Sequence, residues 1–370
     1  MTKIKIILNW LKNIKVIYNL REFFVFYLSK FSEFKKLPAD KKYLLSNYGF
    51  VGSYCSRLFV DHAPVFMESE IKNIAEKVFD DEDSRKLYYL FFLRQMHCAY
   101  FVDGWEKYYD DERTFEEKLR KIKSAIASNV IFVGNLFFTK TKKKKKFILN
   151  FTNGATYILP INWFEISVFC MKLGLPYLKA EYLSYIKRGN VIDAGAFVGD
   201  SSIVLAEYTD EKVFAIEAHA ENFKLLEKTV ALNNLQTKII ALNAALDREV
   251  RRVNIISSGA GARTAVADGQ FCTVSTVTLD KLFENKSQKI SLIKLDVEGF
   301  EMNILLGADQ VIRRDKPVLF VSIYHSGEQF INVPLQLKEK YSDIYSFKFI
   351  DCNPVHPLAE KVLLCLPKDV

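Results

Sequence analysis

Three stretches of this 370-residue chain bring together residue types that do chemistry rather than merely pack. The first runs Val191-Ile192-Asp193-Ala194-Gly195-Ala196-Phe197-Val198-Gly199-Asp200-Ser201-Ser202. It reads as a strand ending on an acid, a glycine turn, and a helix that starts near Gly199. Gly195 permits a tight turn and close approach of a ligand to the backbone, and the helix start offers unpaired N–H groups. Phe197 stands where a dinucleotide fingerprint has its second glycine, and no Gly-Lys-Ser/Thr follows as in a phosphate loop. An acid in first place repels a pyrophosphate but suits a ligand with an ammonium group, such as the methionine part of S-adenosylmethionine. Asp193, Gly195, Ala196, Gly199, Asp200 and Ser201 are therefore candidate cofactor contacts.

The second acid, Glu217, ends the next apolar run, 24 residues after Asp193. A carboxylate there can accept both hydroxyls of a ribose, in a methyl-donor site or a nicotinamide site alike. The third stretch is Leu292-Ile293-Lys294-Leu295-Asp296-Val297-Glu298-Gly299-Phe300-Glu301. Its apolar strand delivers Asp296 and Glu298 to the carboxyl edge of a sheet. Three carboxylates this close belong in a polar cleft unless something compensates them, and Glu301 can instead serve a helix N-terminus. His325 closes the following run, Val321-Ser322-Ile323-Tyr324-His325, and with Asp296 nearby it is a candidate general base for a hydroxyl. The histidines form no HExxH and the cysteines no CxxC pair, so no metal or disulfide is expected.

These residues need a scaffold. Candidate strands fall at Val191–Asp193, Val213–Glu217, Lys238–Leu242, Ile290–Asp296 and Pro317–Tyr324, with helical stretches around 200–207, 220–234, 300–314 and 328–340. Strands joined by helices at this spacing predict a parallel sheet covered on both faces. Tyr345–Ile350 and Lys361–Leu366 have no helix between them and predict a terminal antiparallel pair. Upstream, Ile71, Ile74, Ala75, Val78 and Phe79 form a helical stripe, and the acids at 80–83 with Ser84 provide a break and caps for a second helix. Val130–Phe138 and Phe147–Phe151 flank the run Lys142–Lys146 and read as a hairpin. The division expected is a helical domain at 1–125, a hairpin and connecting segment at 126–187, and an α/β domain at 188–370. The glycine- and alanine-rich segment 257–270 is a candidate loop over the site, with Arg263 as a contact to an anionic acceptor.

Composition narrows the class. The chain is 49% hydrophobic and 26% charged, with 30 Phe and 18 Tyr, which excludes long disorder. Residues 1–150 carry 28 basic and 18 acidic side chains (+10), and residues 151–370 carry 24 and 26 (−2). In residues 1–31 no uncharged run exceeds seven residues, so neither a spanning helix nor a signal peptide is expected. A basic amphipathic helix there would permit peripheral membrane contact at the inner face. The six scattered cysteines favour a reducing cytoplasm.

The ordered series DAGAFVGDSS, IEAHAENFKLLEKTVALNN, TVTLDKLF, IKLDVEGFE and SIYH, with the lead-in GLPYLKAEYLSYIKRGN, resembles the FkbM-type S-adenosylmethionine-dependent methyltransferases over about residues 173–366. The resemblance implies a class I, Rossmann-like methyltransferase sheet with S-adenosyl-L-methionine as cofactor and O-methylation of a sugar or glycan hydroxyl. It places Asp193, Gly195 and Gly199 in the cofactor loop, Glu217 on the ribose, Asn243 and Ala244 beside the adenine, and Asp296 near the methyl group. Asp296, His325 and Glu298 are then the expected catalytic residues. Two other readings stand beside it: a nicotinamide-dependent oxidoreductase on a similar sheet, and a noncatalytic docking module of a biosynthetic complex. Nucleic acid is not an expected partner, since the basic excess lies outside the α/β half and no Asn/Asp-Pro-Pro-Tyr/Phe motif is present.

Overall fold

The structure, a computed structural model, describes residues 59–60, 63–64, 68–100, 130–133, 136–143, 146–151, 154–256, 263–264, 271–284, 289–353 and 359–370. The basic segment 1–31, Lys144 and Lys145, and most of the loop 257–270 lie outside them, and nothing is described of the Arg263 side chain. Helices α1 (Glu68–Val78) and α2 (Glu82–Tyr100) come first. An antiparallel meander follows, β1 (Val130–Val133), β2 (Leu136–Lys143), β3 (Lys146–Phe151) and β4 (Thr156–Leu159). The expected hairpin is its middle pair, with Lys143 opposite Lys146. The longer upstream run divides into two strands, paired through Val133 and Leu136.

After α3 (Ile166–Phe169) and α4 (Ala180–Lys187) the alternation begins: β5 (Asn190–Ala194), α5 (Asp200–Leu205), β6 (Val213–Ile216), α6 (Ala220–Leu232) and β7 (Ile239–Leu242). An excursion then forms a small sheet from β8 (Ala245–Leu246), β9 (Arg252–Ile256), β10 (Arg263–Thr264) and β11 (Phe271–Val277). The chain returns through α7 (Leu279–Leu282), β12 (Ile290–Leu295), α8 (Glu301–Leu306), α9 (Asp309–Asp315), β13 (Val318–Ser322), α10 (Gly327–Tyr341), β14 (Tyr345–Asp351) and β15 (Lys361–Pro367).

The main sheet has the order β14-β15-β13-β12-β5-β6-β7. β5, β6, β7, β12 and β13 run parallel, and β15 enters antiparallel between β13 and β14. This is the class I methyltransferase sheet expected. Every residue of β5, β12 and β13 is buried, as a parallel sheet covered on both faces requires. Alternate residues feed two cores. Ile192, Ile293, Leu295, Leu319 and Val321 pack on one face with α8, α9, α10 and the first two helices. Val191, Leu292, Val318 and Phe320 pack on the other with α5, α6 and the meander strands β3 and β4.

α1 and α2 lie against the edge strand β14. Asp80 Oδ2 accepts from Phe347 N at 3.2 Å and Ser84 Oγ from Phe349 N at 3.0 Å, so side chains satisfy donors that an edge strand leaves open. Pro334 sits inside α10 and offers no N–H to the carbonyl of Phe330. The Tyr88 hydroxyl donates to that carbonyl at 2.7 Å, with its ring stacked on Phe330 at 4.0 Å between centroids. The single helix expected at 300–314 is two, α8 and α9. Gly307 lies between them, where a Cβ would come within 2.3 Å of Asp247 O.

Candidate active site

The order of the parallel strands reverses between β5 and β12, and open α/β sheets bind ligands at the carboxyl ends beside such a switch. A cavity of about 250 Å³ opens there. Strand order sets the sequence of its lining. Ala244, Ala245 and Leu246, following β7, lie at one end with Ile216 and with Val253 of the small sheet. Gly195, Phe197, Lys294 and Asp296 occupy the middle. Tyr324 and Glu360, flanking β13 and β15, lie at the other end.

On the β6 side Glu217 is held by two backbone donors, Phe197 N to Oε2 at 2.9 Å and His219 N to Oε1 at 2.8 Å. The Asn222 side chain bonds it as well, so about one of the carboxylate's four acceptor sites is left for a ligand hydroxyl. Burial raises its carboxyl, against the lowering effect of those two N–H groups. Ala244, Asp200 and Ser201, candidate cofactor residues, line the cavity. Asn243 does not; its amide donates to the carbonyls of Glu217 and Ala218 and fixes the rim from behind. Ala196 is fully buried, and Gly199, at φ +85°, packs beside Leu226, so both shape the loop without reaching the cavity.

Asp193 departs from expectation. It is fully buried and outside the lining, with Oδ2 accepting from Ser201 Oγ and Ser202 Oγ at 2.6 Å each. Lys294 Nζ lies 3.0 Å from its Oδ1. The acid that was to meet a ligand's ammonium group has the chain's own ammonium instead. Gly195 lines the cavity, yet a Cβ on it would come within 1.9 Å of Asp296 O. The glycine is required by the close approach of two strand ends as much as by any ligand.

At the β12 end the backbone turns sharply, with Glu298 at φ 55° and Gly299 at φ 114°. Glu301 staples this turn. It is fully buried and accepts from Val297 N at 3.0 Å, from Gly299 N at 3.1 Å, and from the Gln329 amide. It is the compensated carboxylate of the three; Asp296 and Glu298 line the cavity. His325 lies behind Asp296, outside the lining, its side chain 6% exposed. Nε2 is 3.2 Å from Asp296 Oδ1 and Nδ1 is 3.3 Å from Glu301 Oε1, ion-pair distances rather than directed hydrogen bonds. Burial alone would lower the imidazole, but the two carboxylates hold it well above its usual value. Burial alone would raise Asp296, but His325 and Lys294 hold it below the usual carboxylate range. His325 is thus an imidazolium near neutral pH and has no lone pair to act as the expected general base.

Ligand atoms of Asp296, Glu301 and His325 lie within 4.8 Å of one another, a spacing that can also collect a metal ion. The two carboxylates, however, face opposite nitrogens of the ring. One ion could bind only one nitrogen, whereas the two N–H groups of an imidazolium serve both acids.

The connecting segment supplies residues that sequence reasoning missed. Trp163 meets Phe197 edge-to-face at 5.1 Å and donates to Asp200 Oδ2 at 3.1 Å. Glu165 lines the cavity, pushed up to about 8 by burial and by Glu360, Asp200 and Asp296. Asp200 is raised to about 6, mainly by burial. Glu360 accepts from Tyr324 OH at 3.1 Å, and burial and Asp296 raise it. No motif marks Trp163, Glu165 or Glu360; Lys294 was visible as a lone cation inside an apolar strand.

Residues 193–351 match the family model of the methyltransferase FkbM domain. That stretch is similar to an FkbM-type methyltransferase domain. Among solved structures, methyltransferase FkbM from Methylobacillus flagellatus KT is 16% identical, with a TM-score of 0.49 over 80% of this chain and 58% of that one. The chain therefore spans less than two thirds of that protein. A putative rRNA methylase from Clostridium thermocellum is 14% identical, with a TM-score of 0.35 over 50% of this chain and 93% of that one. A putative O-methyltransferase from Klebsiella pneumoniae is 10% identical, with a TM-score of 0.35 over 56% and 83%. No curated protein matches the chain.

The FkbM-type match indicates S-adenosylmethionine as the cofactor and counts against the nicotinamide reading. The residues present fit that group. Glu217 keeps acceptor capacity for a ribose hydroxyl, the residues after β7 give an apolar wall for an adenine, and the acids of the cavity suit a cationic ligand. No helix among the described residues is long and apolar enough to cross a membrane.

Proposed function

We propose that the chain transfers the methyl group of S-adenosylmethionine to a hydroxyl of a sugar or glycan. The observation that carries this reading is the Asp296 carboxylate, facing the cavity at the switch point and backed by a buried imidazolium. S-adenosylmethionine supplies an electrophilic methyl group on a sulfonium when bound. The protein's tasks are to align the acceptor oxygen with that methyl and to receive the hydroxyl proton. Asp296 accepts the proton, and His325 fixes the carboxylate's orientation from behind. Glu298, Glu165, Glu360 and Tyr324 surround the acceptor end with groups that hydrogen-bond hydroxyls. Glu165, with its value near 8, keeps its proton at neutral pH and can donate to an acceptor oxygen.

The test is transfer of a radiolabelled methyl group from S-adenosylmethionine to a panel of nucleotide sugars and cell-surface glycans. Methyl ethers identified by NMR, and lost in Asp296→Asn, support the reading. Transfer to nitrogen or to RNA alone would overturn it.

A further inference from the structure

Lys294 stands in the cavity without a role in the proposed chemistry. Six carboxylates line the space, those of Glu165, Asp200, Glu217, Asp296, Glu298 and Glu360, and Lys294 is the one cation among the described lining residues. Its side chain is 9% exposed. Nζ lies 3.0 Å from Asp193 Oδ1 and donates to Gly195 O at 3.1 Å. An ammonium has three donors; the bond to Gly195 O uses one, and the Asp193 contact is an ion pair, so donor capacity is left over. Burial alone would lower the amine, but Asp193 and Asp296 hold its value above the usual one, so it is charged at every physiological pH.

The S-adenosylmethionine that the proposed function requires is a zwitterion at its amino-acid end. Its ammonium and sulfonium are attracted to the acids of the cavity, but its α-carboxylate is repelled by those of them that are ionised. An anion entering a space this acidic is stable only beside a compensating charge. We propose that Lys294 is the binding site for the α-carboxylate of the methyl donor, a remaining N–H completing a bridge from Asp193 and the Gly195 turn to the cofactor. Asp193 then acts through Lys294: it holds the ammonium in place and does not touch the ligand. This reverses the usual sense of an acid in the first loop, because the site presents a cation to the amino-acid moiety at that point.

The inference rests on S-adenosylmethionine being the cofactor, and the experiment separates the two claims. Full-length protein is titrated calorimetrically with S-adenosylhomocysteine, with its decarboxylated analogue, and with 5′-methylthioadenosine, which lacks the whole amino-acid end. The expected result is that removing the carboxylate weakens binding about ten- to a hundred-fold, the scale of a charge-assisted hydrogen bond. Lys294→Met alone leaves Asp193 buried and unpaired and risks the fold. The paired variant Asp193→Asn/Lys294→Met removes both charges together. It should keep its affinity for 5′-methylthioadenosine and bind S-adenosylhomocysteine and the decarboxylated analogue alike. Equal affinity of the wild-type protein for those two ligands overturns the Lys294 assignment and leaves the cofactor standing. Undiminished discrimination in the paired variant also overturns it. Failure of the wild-type protein to bind any of the three overturns the cofactor reading, and the assignment with it.

Discussion

His325 sits between two carboxylates that cannot both be served by a neutral ring, and this has a measurable cost in alkali. Its folded-state value lies well above the ordinary 6.5, so the stability it confers is complete below about 6.5. That stability drains away as pH rises through the raised value, when the proton leaves and Asp296 faces Glu301 across a neutral ring. The urea midpoint should therefore fall on the alkaline side, and kcat/KM with it. His325→Gln should cost about 1.5–3 kcal/mol at neutral pH and flatten the alkaline fall. An unchanged alkaline slope in that variant would show that another group carries it. Asp296→Asn tests a different role: kcat should drop about 10²–10⁴-fold while S-adenosylhomocysteine still binds.

The elements that position these residues were legible in the sequence because parallel strands buried on both faces are continuous apolar runs. β5, β6, β7, β12 and β13 fall within two residues of their expected spans, and β14 and β15 pair antiparallel as expected. Two limits are physical. Alternation within an element says nothing of which distant loop folds over its end, so Trp163, Glu165 and Glu360 carried no local mark. A strand-end acid also looks the same whether it faces a ligand or a buried lysine, and Asp193 was misassigned for that reason. Of the loop expected at 257–270 only β10 is described, and the strands β8, β9 and β11 on either side of it had no expectation attached to them.

Pro334 gives the clearest test at the level of elements. It leaves the Phe330 carbonyl of α10 open, and the Tyr88 hydroxyl of α2 fills the vacancy. Tyr88→Phe should destabilise the protein by about 1–3 kcal/mol, the cost of an unsatisfied buried acceptor, measured by urea unfolding. Adding Pro334→Ala restores an N–H to the helix and should recover part of that loss. Recovery is the informative outcome, because general disruption by two core changes would add rather than cancel.

For the whole molecule, the decisive point is that α1 and α2 share a core with the catalytic sheet. Ile71, Val78, Phe91 and Phe92 belong to the same apolar cluster as Ile293, Val321 and Phe330. Full-length protein is expected to unfold in one transition, coincident by far-UV circular dichroism and tryptophan fluorescence. A chain beginning at residue 130 would uncover Phe330 and Phe349 and strip the caps from Phe347 N and Phe349 N. It should self-associate in size-exclusion and light-scattering measurements. A truncated chain that stays monomeric with the full-length urea midpoint would contradict this account.

The Tyr88–Phe330 bond spans 242 residues, and that distance is also a delay. A ribosome adding about 5–20 residues per second needs roughly 12–50 s to make the second partner after the first. Throughout that interval the newborn α2 has only α1, Phe59 and Phe79 to pack Tyr88, Phe91 and Phe92 against. The opening third of the polypeptide must wait for the closing third, and a chaperone that shields apolar helices during synthesis would set the yield of this protein more than its final stability does.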